Sequence, residues 1–395
     1  MNYRAGLVGC GRMSRHHGKA LQSVDRVSLI ALADIYEPNL QKAGVDFGIN
    51  RLYRDYRELL ERERPELLII CTQAPQHASI TIAAAEAGVK GILCEKPISL
   101  TLEEADAMIA ACDKNGTRLA INHQTRMIPN TFVVEQLVRE GAIGELRVAR
   151  MIDKGLRPAG NSLFELCTHL FDLLRIYAGN PEWVSGHLTV GDAEGRQRRA
   201  AIEDVRYSQS AWPRDRDCGL VLGERCTATF GFGPREGWHN GMTATLESFF
   251  QIPRTGRSRP NLELIGTDGV LFLGGASDRV DVYLNRGPWL PPGNLEPVGN
   301  TPYLDTGEGS TVTHIAAMVE ELVAAIEEGR EHRSSGRDGR WALEMIMGVF
   351  ESHRHGGVRV DLPLPYRGHP LERWLAEEGL PLPPKPSGVE RVSAG

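Results

Sequence analysis

The sequence predicts two folded domains: an α/β domain with a parallel sheet, followed by an α/β domain built on an antiparallel sheet. Strand-like and helix-like segments alternate over residues 1–122, as expected for repeated β-α-β units. Residues 183–285 contain short strands with turn signals and no helices between them. The 395 residues also exceed the size of one ordinary core. We therefore place the first domain at residues 1–122, the second at 123–360 and a proline-rich tail at 361–395.

The parallel sheet is predicted from short apolar runs that are separated by helical patterns. Gly88 marks the end of one helix, and Thr101-x-x-Glu104 is a capping box that begins the next one. We expect strands at residues 5–8, 27–33, 66–71, 91–94 and 119–122, and helices at 14–21, at 78–87 and from 101 onwards.

The second domain is predicted to begin with helices at residues 131–140 and 163–178 and to end with helices at 312–328 and 337–354. Strands are expected between these helix pairs, at residues 182–190, 218–222, 226–232, 244–252 and 262–273. Polar or Pro/Gly-rich stretches at 191–217, 253–261 and 286–311 are expected to be loops.

The composition predicts a globular cytoplasmic protein without a nucleic-acid or membrane partner. A formal net charge of -6 gives no electrostatic reason to expect nucleic acid or an anionic membrane surface. No apolar run approaches the roughly 20 residues that span a bilayer, and the N-terminus lacks the pattern of an export signal. The seven cysteines form no C-x-x-C pair, so we expect no metal site and a reducing cytosol.

A glycine-rich turn directly follows the first strand and opens a helix. Gly9 permits a tight turn, Gly11 lets a pyrophosphate approach the backbone, and Ser14 stands in place of the usual third glycine or alanine. The helix N-terminus offers N–H groups and a positive dipole end to phosphates. This strand–turn–helix context predicts a dinucleotide site of the Rossmann type, with contacts from Gly9, Gly11, Arg12 and Met13.

Asp34 is expected to choose between the two nicotinamide dinucleotides. It ends the second strand, about 20 residues after the glycine turn, where an acid accepts hydrogen bonds from the ribose hydroxyls. A carboxylate repels a 2′-phosphate, and no basic residue follows Asp34 immediately. We therefore expect NAD rather than NADP, with a turn residue or helix N-cap as the structural alternative for Asp34.

Two short segments are specific enough to indicate a family. Glu-Lys-Pro at residues 95–97 closes a predicted strand, and His-x-x-Asp at residues 169–172 lies in a predicted helix. With these segments the sequence resembles the glucose–fructose oxidoreductase/inositol dehydrogenase (Gfo/Idh/MocA) family. Further matches lie at residues 72–77, 83–88, 122–126, 144–146 and 325–330, so the resemblance covers nearly the whole chain.

The resemblance implies a Rossmann domain that binds NAD, followed by an α/β domain with a large open antiparallel sheet. Such a sheet commonly forms subunit contacts in the family, so we expect a homodimer or homotetramer. The resemblance also implies that Lys96 and His169 lie at the nicotinamide, with Glu165, the acid four residues before the histidine, completing the catalytic set. Many members have aspartate at position 165 and glycine where Cys167 stands here.

These residue types suit the oxidation of an alcohol. A histidine with a pKa near neutrality can accept the hydroxyl proton as hydride leaves the carbon. A buried lysine ammonium can stabilise the developing alkoxide, and Lys96 starts from the carboxyl edge of the parallel sheet, where ligands bind. The structural alternatives are a surface lysine at a strand end and a hydrogen-bonded core histidine.

Glu165, His169 and Asp172 are spaced i, i+4 and i+7, which places them on one face of a helix. Ser162-x-x-Glu165 is also a capping box, which would tie the carboxylate of Glu165 to the helix start instead. Asp172 is open to three roles: it orients the histidine, contacts substrate hydroxyls, or makes a structural hydrogen bond.

The remaining candidates are assigned from their positions along the chain. Asn122 and Arg126 lie where the first domain passes into the second, which suits cofactor and substrate contacts respectively. His239, between Trp238 and Asn240, belongs to an aromatic–polar cluster that suits either stacking on a sugar ring or loop packing. Further cofactor contacts are expected from Thr72, Pro75, His77, Glu95 and Lys96, and substrate contacts from Lys96, Arg126, His169, Asp172 and His239.

The sequence therefore predicts an NAD(H)-dependent dehydrogenase or reductase that acts on a secondary alcohol or ketone of a cyclic polyol, sugar or glycoside. One alternative is a glycosidase that retains its NAD and uses transient oxidation. A second is a non-catalytic sensor that binds a dinucleotide, although the presence of both Lys96 and His169 argues against it.

Overall fold

The protein forms two compact units. The first contains residues 1–127 and 306–340, and the second contains residues 128–305 and 341–388. The computed structural model describes residues 2–153, 155–192, 194–211, 216–234, 241–250, 261–274, 281–286, 296–297 and 308–386.

A six-stranded parallel sheet organises the first unit. Its strands are β1 (Tyr3–Val8), β2 (Val27–Ala33), β3 (Leu52–Tyr53), β4 (Leu67–Ile70), β5 (Gly91–Cys94) and β6 (Arg118–Ile121). Their order is β3-β2-β1-β4-β5-β6, which is the doubly wound Rossmann order. The residues of β4 and β5 are all buried, as expected for apolar strands covered on both faces. The predicted parallel α/β fold is confirmed.

Five helices connect these strands: α1 (Ser14–Ser23), α2 (Glu37–Phe47), α3 (Tyr56–Glu63), α4 (His77–Glu86) and α5 (Leu102–Asn115). The Thr101 hydroxyl accepts a hydrogen bond from the backbone N–H of Glu104 (3.2 Å), as its capping role requires. The Glu104 carboxylate accepts from the backbone N–H of Leu100 (3.1 Å) rather than from that of Thr101. α2, α3 and β3 add to the elements that the sequence predicted.

The second unit contains a mixed sheet of ten strands. They are β7 (Leu146–Ile152), β8 (Trp183–Gly191), β9 (Gln197–Arg199), β12 (Arg225–Phe232), β13 (Met242–Phe249), β14 (Asn261–Gly266), β15 (Gly269–Gly274), β16 (Asp281–Arg286), β17 (Glu296–Pro297) and β18 (Val360–Asp361), while β10 (Arg206–Tyr207) and β11 (Leu220–Val221) pair separately. Exposure alternates along β8, β12 and β13, as expected for strands with one covered face.

Several details of this sheet differ from the sequence expectation. Strands β7 and β18 were not predicted, and β9 and β17 lie within segments expected to be loops. The pairing of β7 with β13 is parallel, whereas the other pairings in the described part of the sheet are antiparallel. The single strand predicted at 262–273 is a hairpin, because β14 and β15 are joined by a turn at Thr267 and Asp268. Asp-Gly at 268–269 is a strong hairpin signal within an otherwise apolar run.

Four helical segments belong to the first part of the second unit: α6 (Pro129–Arg139), α7 (Ala159–Ser162), α8 (Thr168–Ala178) and α9 (Ser208–Ala211). A π-helical turn, Leu163–Cys167, joins α7 to α8. Phe171 of α8 packs edge-on against Phe230 of β12 with ring centroids 5.3 Å apart, so α8 covers the sheet.

Helix α10 (Glu308–Glu328) is part of the core of the first unit. Its buried residues Ile315, Met318, Val319 and Leu322 share one apolar cluster with residues of α1, β1 and β5. Residues 306–340, which the sequence analysis placed in the second domain, therefore lie in the first unit. Among the described helices, none is long and apolar enough to cross a membrane.

The C-terminal region is more structured than a surface tail. Helix α11 (Gly336–Arg354) precedes β18, and helix α12 (Pro370–Glu377) lies within the segment expected to be a tail. Leu371 of α12 is fully buried, and the backbone N–H of Leu371 donates a hydrogen bond to Nδ1 of His369 at 3.2 Å. His369 is thus the N-cap of α12.

Three buried histidines are held neutral by their surroundings. Burial lowers the pKa of His332, His353 and His369 to about 4 in each case. In the unfolded chain each would have an ordinary pKa of about 6.5. Between these values the unfolded state binds more protons than the folded state, so stability falls as the pH falls.

We expect His369→Asn to reduce the loss of stability between pH 6.5 and pH 4 by about 3 kcal/mol. Asparagine retains an acceptor at the helix N-cap but does not titrate. The free energy of unfolding, measured by urea denaturation at a series of pH values, gives the slope. His355→Asn is the control because the side chain of His355 is 50% exposed. An unchanged slope in His369→Asn would show that His369 is not the titrating group.

Candidate active site

The two glycines of the turn after β1 have different surroundings. Gly9 has a φ of +91°, and a Cβ there would lie 2.6 Å from backbone atoms of Cys71 and Thr72 at the end of β4. A Cβ on Gly11 would meet no atom within 4 Å. Gly9 therefore fits the turn against the sheet, whereas Gly11 leaves open space above the backbone.

The N-terminus of α1 offers several donors beside this space. Among the hydrogen bonds of the described residues, the backbone N–H groups of Gly11, Arg12 and Met13 have no backbone acceptor. The buried Ser14 hydroxyl donates to the carbonyl oxygen of Gly11 at 2.6 Å, and this hydrogen bond stabilises the turn. Unsatisfied N–H groups and the positive end of a helix dipole are the usual partners of a phosphate.

Asp34 lies beyond the end of β2, and both of its oxygens contact the backbone. Oδ2 accepts from the N–H of Cys10 at 2.6 Å, and Oδ1 accepts from the N–H of Tyr36 at 2.7 Å. The turn role left open for Asp34 is thus real, but a carboxylate has about four acceptor positions. Two remain for ribose hydroxyls, so the residues around the glycine turn fit an adenine dinucleotide.

His77 fixes the segment after β4 rather than lining an open surface. Its buried imidazole places Nδ1 2.8 Å from the carbonyl oxygen of Pro97 and Nε2 3.2 Å from that of Thr72. Pro75 lies in a short 3-10 helix, Ala74–Gln76, which directly precedes His77 in the sequence. The imidazole therefore holds the end of β4 to the segment after β5.

A buried polar cluster lies at the ends of β5 and β6. Oε1 of Glu95 is 2.8 Å from His17 Nε2 and accepts a hydrogen bond from Asn122 Nδ2 at 2.8 Å. The three residues are at most 1% exposed. Lys96, also buried, follows Glu95 directly. His17 was not expected from the sequence, because a histidine inside an amphipathic helix carries no signal of its partner.

Arg126 is engaged in contacts within the first unit. Its Nη1 donates to the carbonyl oxygen of Arg333 at 2.6 Å, and its Nη2 is 3.1 Å from Asp338 Oδ1. The guanidinium is almost fully buried. A substrate role for Arg126 stays a prediction, and these contacts hold the segment after β6 to the start of α11.

Glu165 lies in the π-helical turn of the second unit and is buried. Its Oε2 is 3.2 Å from Arg157 Nη2, and its Oε1 accepts from the backbone N–H of Arg216 at 3.1 Å. The capping box with Ser162 does not form, because the helix begins at Ala159 and the Ser162 hydroxyl donates to another carboxylate, that of Asp153 (2.5 Å). π-Helical turns are frequent at functional sites.

His169 and Asp172 follow on α8 and differ in exposure. His169 is partly exposed, whereas Asp172 is fully buried, with Oδ1 4.0 Å from Arg175 Nη1. This burial favours the structural role among the three left open for Asp172. His239, with its neighbours Trp238 and Asn240, lies outside the described residues.

The first unit thus gathers most of the predicted cofactor residues along one sheet edge. Gly9, Asp34, Thr72, Glu95 and Asn122 each follow the carboxyl end of a parallel strand, and those ends meet at the same edge. The predicted residues Glu165, His169 and Asp172 belong to the second unit. Within the described parts of the chain, no group of three or more His, Cys, Asp or Glu side chains is arranged to hold a metal ion.

Comparisons with known proteins agree with a nucleotide-binding fold in the first unit. Residues 3–123 match the model of a family described as an oxidoreductase family with an NAD-binding Rossmann fold. The chain is 42% identical over 368 residues to D-apiose dehydrogenase of Paraburkholderia graminis, and the match covers 90% of this chain and 88% of the relative. It is 24% identical over 369 residues to inositol 2-dehydrogenase of Rhizobium meliloti, and this match covers 89% of this chain and 97% of the relative.

Among solved structures, levoglucosan dehydrogenase in complex with NADH has a similar fold. The TM-score is 0.72 at 22% sequence identity, and the match covers 92% of this chain and 100% of that chain. At this identity the similarity supports the fold alone.

We expect Gly9→Ala and Gly11→Ala to separate folding from cofactor binding. Gly9→Ala should lose about 2 kcal/mol of stability or more, because its Cβ meets backbone atoms at a positive φ. Gly11→Ala should melt like the wild type but bind NAD about tenfold more weakly, because its Cβ enters the space left for the pyrophosphate. Thermal denaturation without nucleotide and titration with NAD measure the two effects. Unchanged NAD affinity in Gly11→Ala would show that the pyrophosphate does not bind at this turn.

Proposed function

The chain belongs to the Gfo/Idh/MocA family of NAD-binding oxidoreductases, and we propose that it oxidises D-apiose or a closely related sugar. It is an NAD(H)-dependent dehydrogenase or reductase that acts on a CH–OH group of a sugar or polyol. The observation that carries the substrate proposal is the 42% identity to D-apiose dehydrogenase, which extends over both units of the chain. Bound NAD⁺ supplies the acceptor for the hydride that leaves the carbinol carbon.

Lys96 is proposed to hold the reacting hydroxyl. Its side chain is mostly buried, and it follows β5 at the carboxyl edge of the parallel sheet. An ammonium group in such surroundings is a strong hydrogen-bond donor to an alkoxide, because little water competes for it. Its task is to orient the hydroxyl oxygen and to stabilise the negative charge that develops there.

His169 is proposed to accept the hydroxyl proton. The O–H bond of the substrate breaks towards the imidazole as the C=O bond forms, and the hydride on the same carbon is the one for which bound NAD⁺ would supply the acceptor. The partial exposure of His169 suits this role, because the proton must later pass to solvent. In the reverse direction the same imidazole returns the proton.

Glu165 is proposed to shape the site from the π-helical turn. Its contacts with Arg157 and with the backbone of Arg216 fix the carboxylate, which suits a group that binds or orients rather than one that moves. Arg157 retains partial exposure, with 22% of its side chain accessible. Substrate contacts from Arg126 and His239 complete the proposed set, and Asp172 is proposed in the structural role that its burial favours.

We propose a homo-oligomer in the cytoplasm, with the large sheet of the second domain as the subunit contact. The family resemblance supports the assembly, and the seven cysteines, all described and all reduced, suit a reducing compartment. In this proposal residues 1–122 bind NAD, and the part of residues 123–360 that belongs to the second unit binds the sugar. The glycosidase and sensor alternatives are not favoured, because the named relatives are dehydrogenases.

A panel of D-apiose, other aldoses and inositols with NAD⁺ should produce NADH fastest with D-apiose or a near relative. Lys96→Ala and His169→Ala should each lower kcat/KM about 10²–10⁴-fold, because each removes a group that acts on the developing charge or the proton. Absorbance of NADH follows the reaction. Lys90→Ala and His355→Ala are matched controls, since both side chains are about half exposed. Wild-type rates in Lys96→Ala and His169→Ala would contradict the catalytic assignment.

Asp34→Asn should lower the preference for NAD over NADP about tenfold or more, because the repulsion of a 2′-phosphate is lost with the negative charge. Asparagine also loses one of the two contacts with backbone N–H groups. The ratio of the two dissociation constants is therefore the useful quantity, since a disturbed turn weakens both cofactors alike. An unchanged ratio would show that Asp34 does not select the cofactor.

A further inference from the structure

We infer that His17 is a positioning residue, which holds Glu95 and thereby sets the place of Lys96. This inference rests on the role proposed for Lys96. His17 lies on α1, one turn after the helix begins, and is completely buried. Its Nε2 is 2.8 Å from Oε1 of Glu95, the residue directly before the lysine.

The geometry fixes the role of each nitrogen of His17. Because Nε2 faces a carboxylate oxygen, it carries the proton and donates. Asn122 Nδ2 lies 3.4 Å from the same nitrogen but donates to Oε1 of Glu95 at 2.8 Å. His17 Nδ1 is buried and finds no hydrogen-bond partner among the described residues. The hydrogen bond from Nε2 to Glu95 is therefore the shortest polar contact of this ring among the described residues.

Glu95 depends strongly on these donors. A carboxylate at 1% exposure cannot be hydrated, so each lost donor leaves an acceptor to be satisfied by movement of the side chain or entry of water. Its backbone is held at the strand end, where the N–H of Glu95 donates to the carbonyl oxygen of Ile70 at 2.9 Å. A carboxylate that turns to find a new donor would rotate the peptide that leads into Lys96.

The contact also links the lysine to the glycine turn. α1 starts at Ser14, directly after the turn that contains Gly9 and Gly11. The helix that offers its N-terminus to the phosphates thus carries the donor that holds Glu95, one turn further on. The same helix therefore follows the phosphate-binding turn and, through Glu95, holds the segment that carries Lys96.

Three substitutions of His17 separate positioning from simple packing. The side-chain nitrogen of glutamine reaches about as far as Nε2 of histidine, whereas that of asparagine reaches only about as far as Nδ1. His17→Gln should therefore keep the donor to Glu95, and His17→Asn and His17→Ala should lose it. We expect kcat to fall about tenfold to 10²-fold in His17→Asn and His17→Ala. We expect His17→Gln to stay within about threefold of wild type, and the KM for NAD to change little in all three.

A second readout needs neither substrate nor turnover. The rate at which an amine-acylating reagent labels Lys96, measured by mass spectrometry of the free protein, should rise about threefold or more in His17→Asn and His17→Ala but not in His17→Gln. Lys19, which is exposed on the same helix, is the internal control. A uniform rise at both lysines would mean that α1 unravels, and it would overturn the inference.

Equal behaviour of His17→Gln and His17→Asn in both assays would also overturn it, because the placement of the donor would then be irrelevant. Failure of the proposed function gives a different pattern. The wild type would then reduce no NAD⁺ with any sugar, while the labelling difference between His17→Gln and His17→Asn would persist.

Discussion

The nucleotide-binding unit depends on the hydrogen bonds that the buried carboxylate of Glu95 accepts. A carboxylate removed from water must find donors within the protein, and His17 and Asn122 both supply them to one oxygen. These residues come from α1, from the end of β5 and from the position after β6, so one oxygen joins three elements. Asp34 has a comparable role at the other side of the glycine turn, where its two oxygens accept from Cys10 and Tyr36. Asp34 thus holds the glycine turn itself, and Glu95 holds the helix that follows this turn.

The strands of the first unit were predictable because local patterns determine them. The apolar runs of β2 and β5 end at polar residues, and the predicted bounds of these two strands agree with the structure. The hairpin of β14 and β15 has the sequence pattern of one strand, because its two-residue turn interrupts a nearly continuous apolar run. The parallel pairing of β7 with β13 joins strands about 90 residues apart, and no local pattern encodes such a partner.

The candidate site divides in the same way. Gly9, Gly11 and Asp34 follow from the spacing of one turn, whose backbone geometry accepts few residue types. The partners of Glu95 and Glu165 did not follow, because tertiary packing brings His17 and Arg157 to them. The sequence of the π-helical turn Leu163–Cys167 predicts an ordinary helix, because one inserted residue hardly alters the apolar period.

The position of α10 has a consequence for how the protein is made. The nucleotide-binding unit is discontinuous in sequence, and the helix that completes its core follows the whole strand-rich part of the second unit. A ribosome adding roughly 5–20 residues per second needs on the order of ten seconds or longer to bridge that gap. During this interval the nascent parallel sheet exposes the apolar surface that Leu322 and Ile326 later cover beside Gly91. The core of the first unit therefore cannot be completed until α10 has been made, although most of the residues around it lie in the first third of the chain.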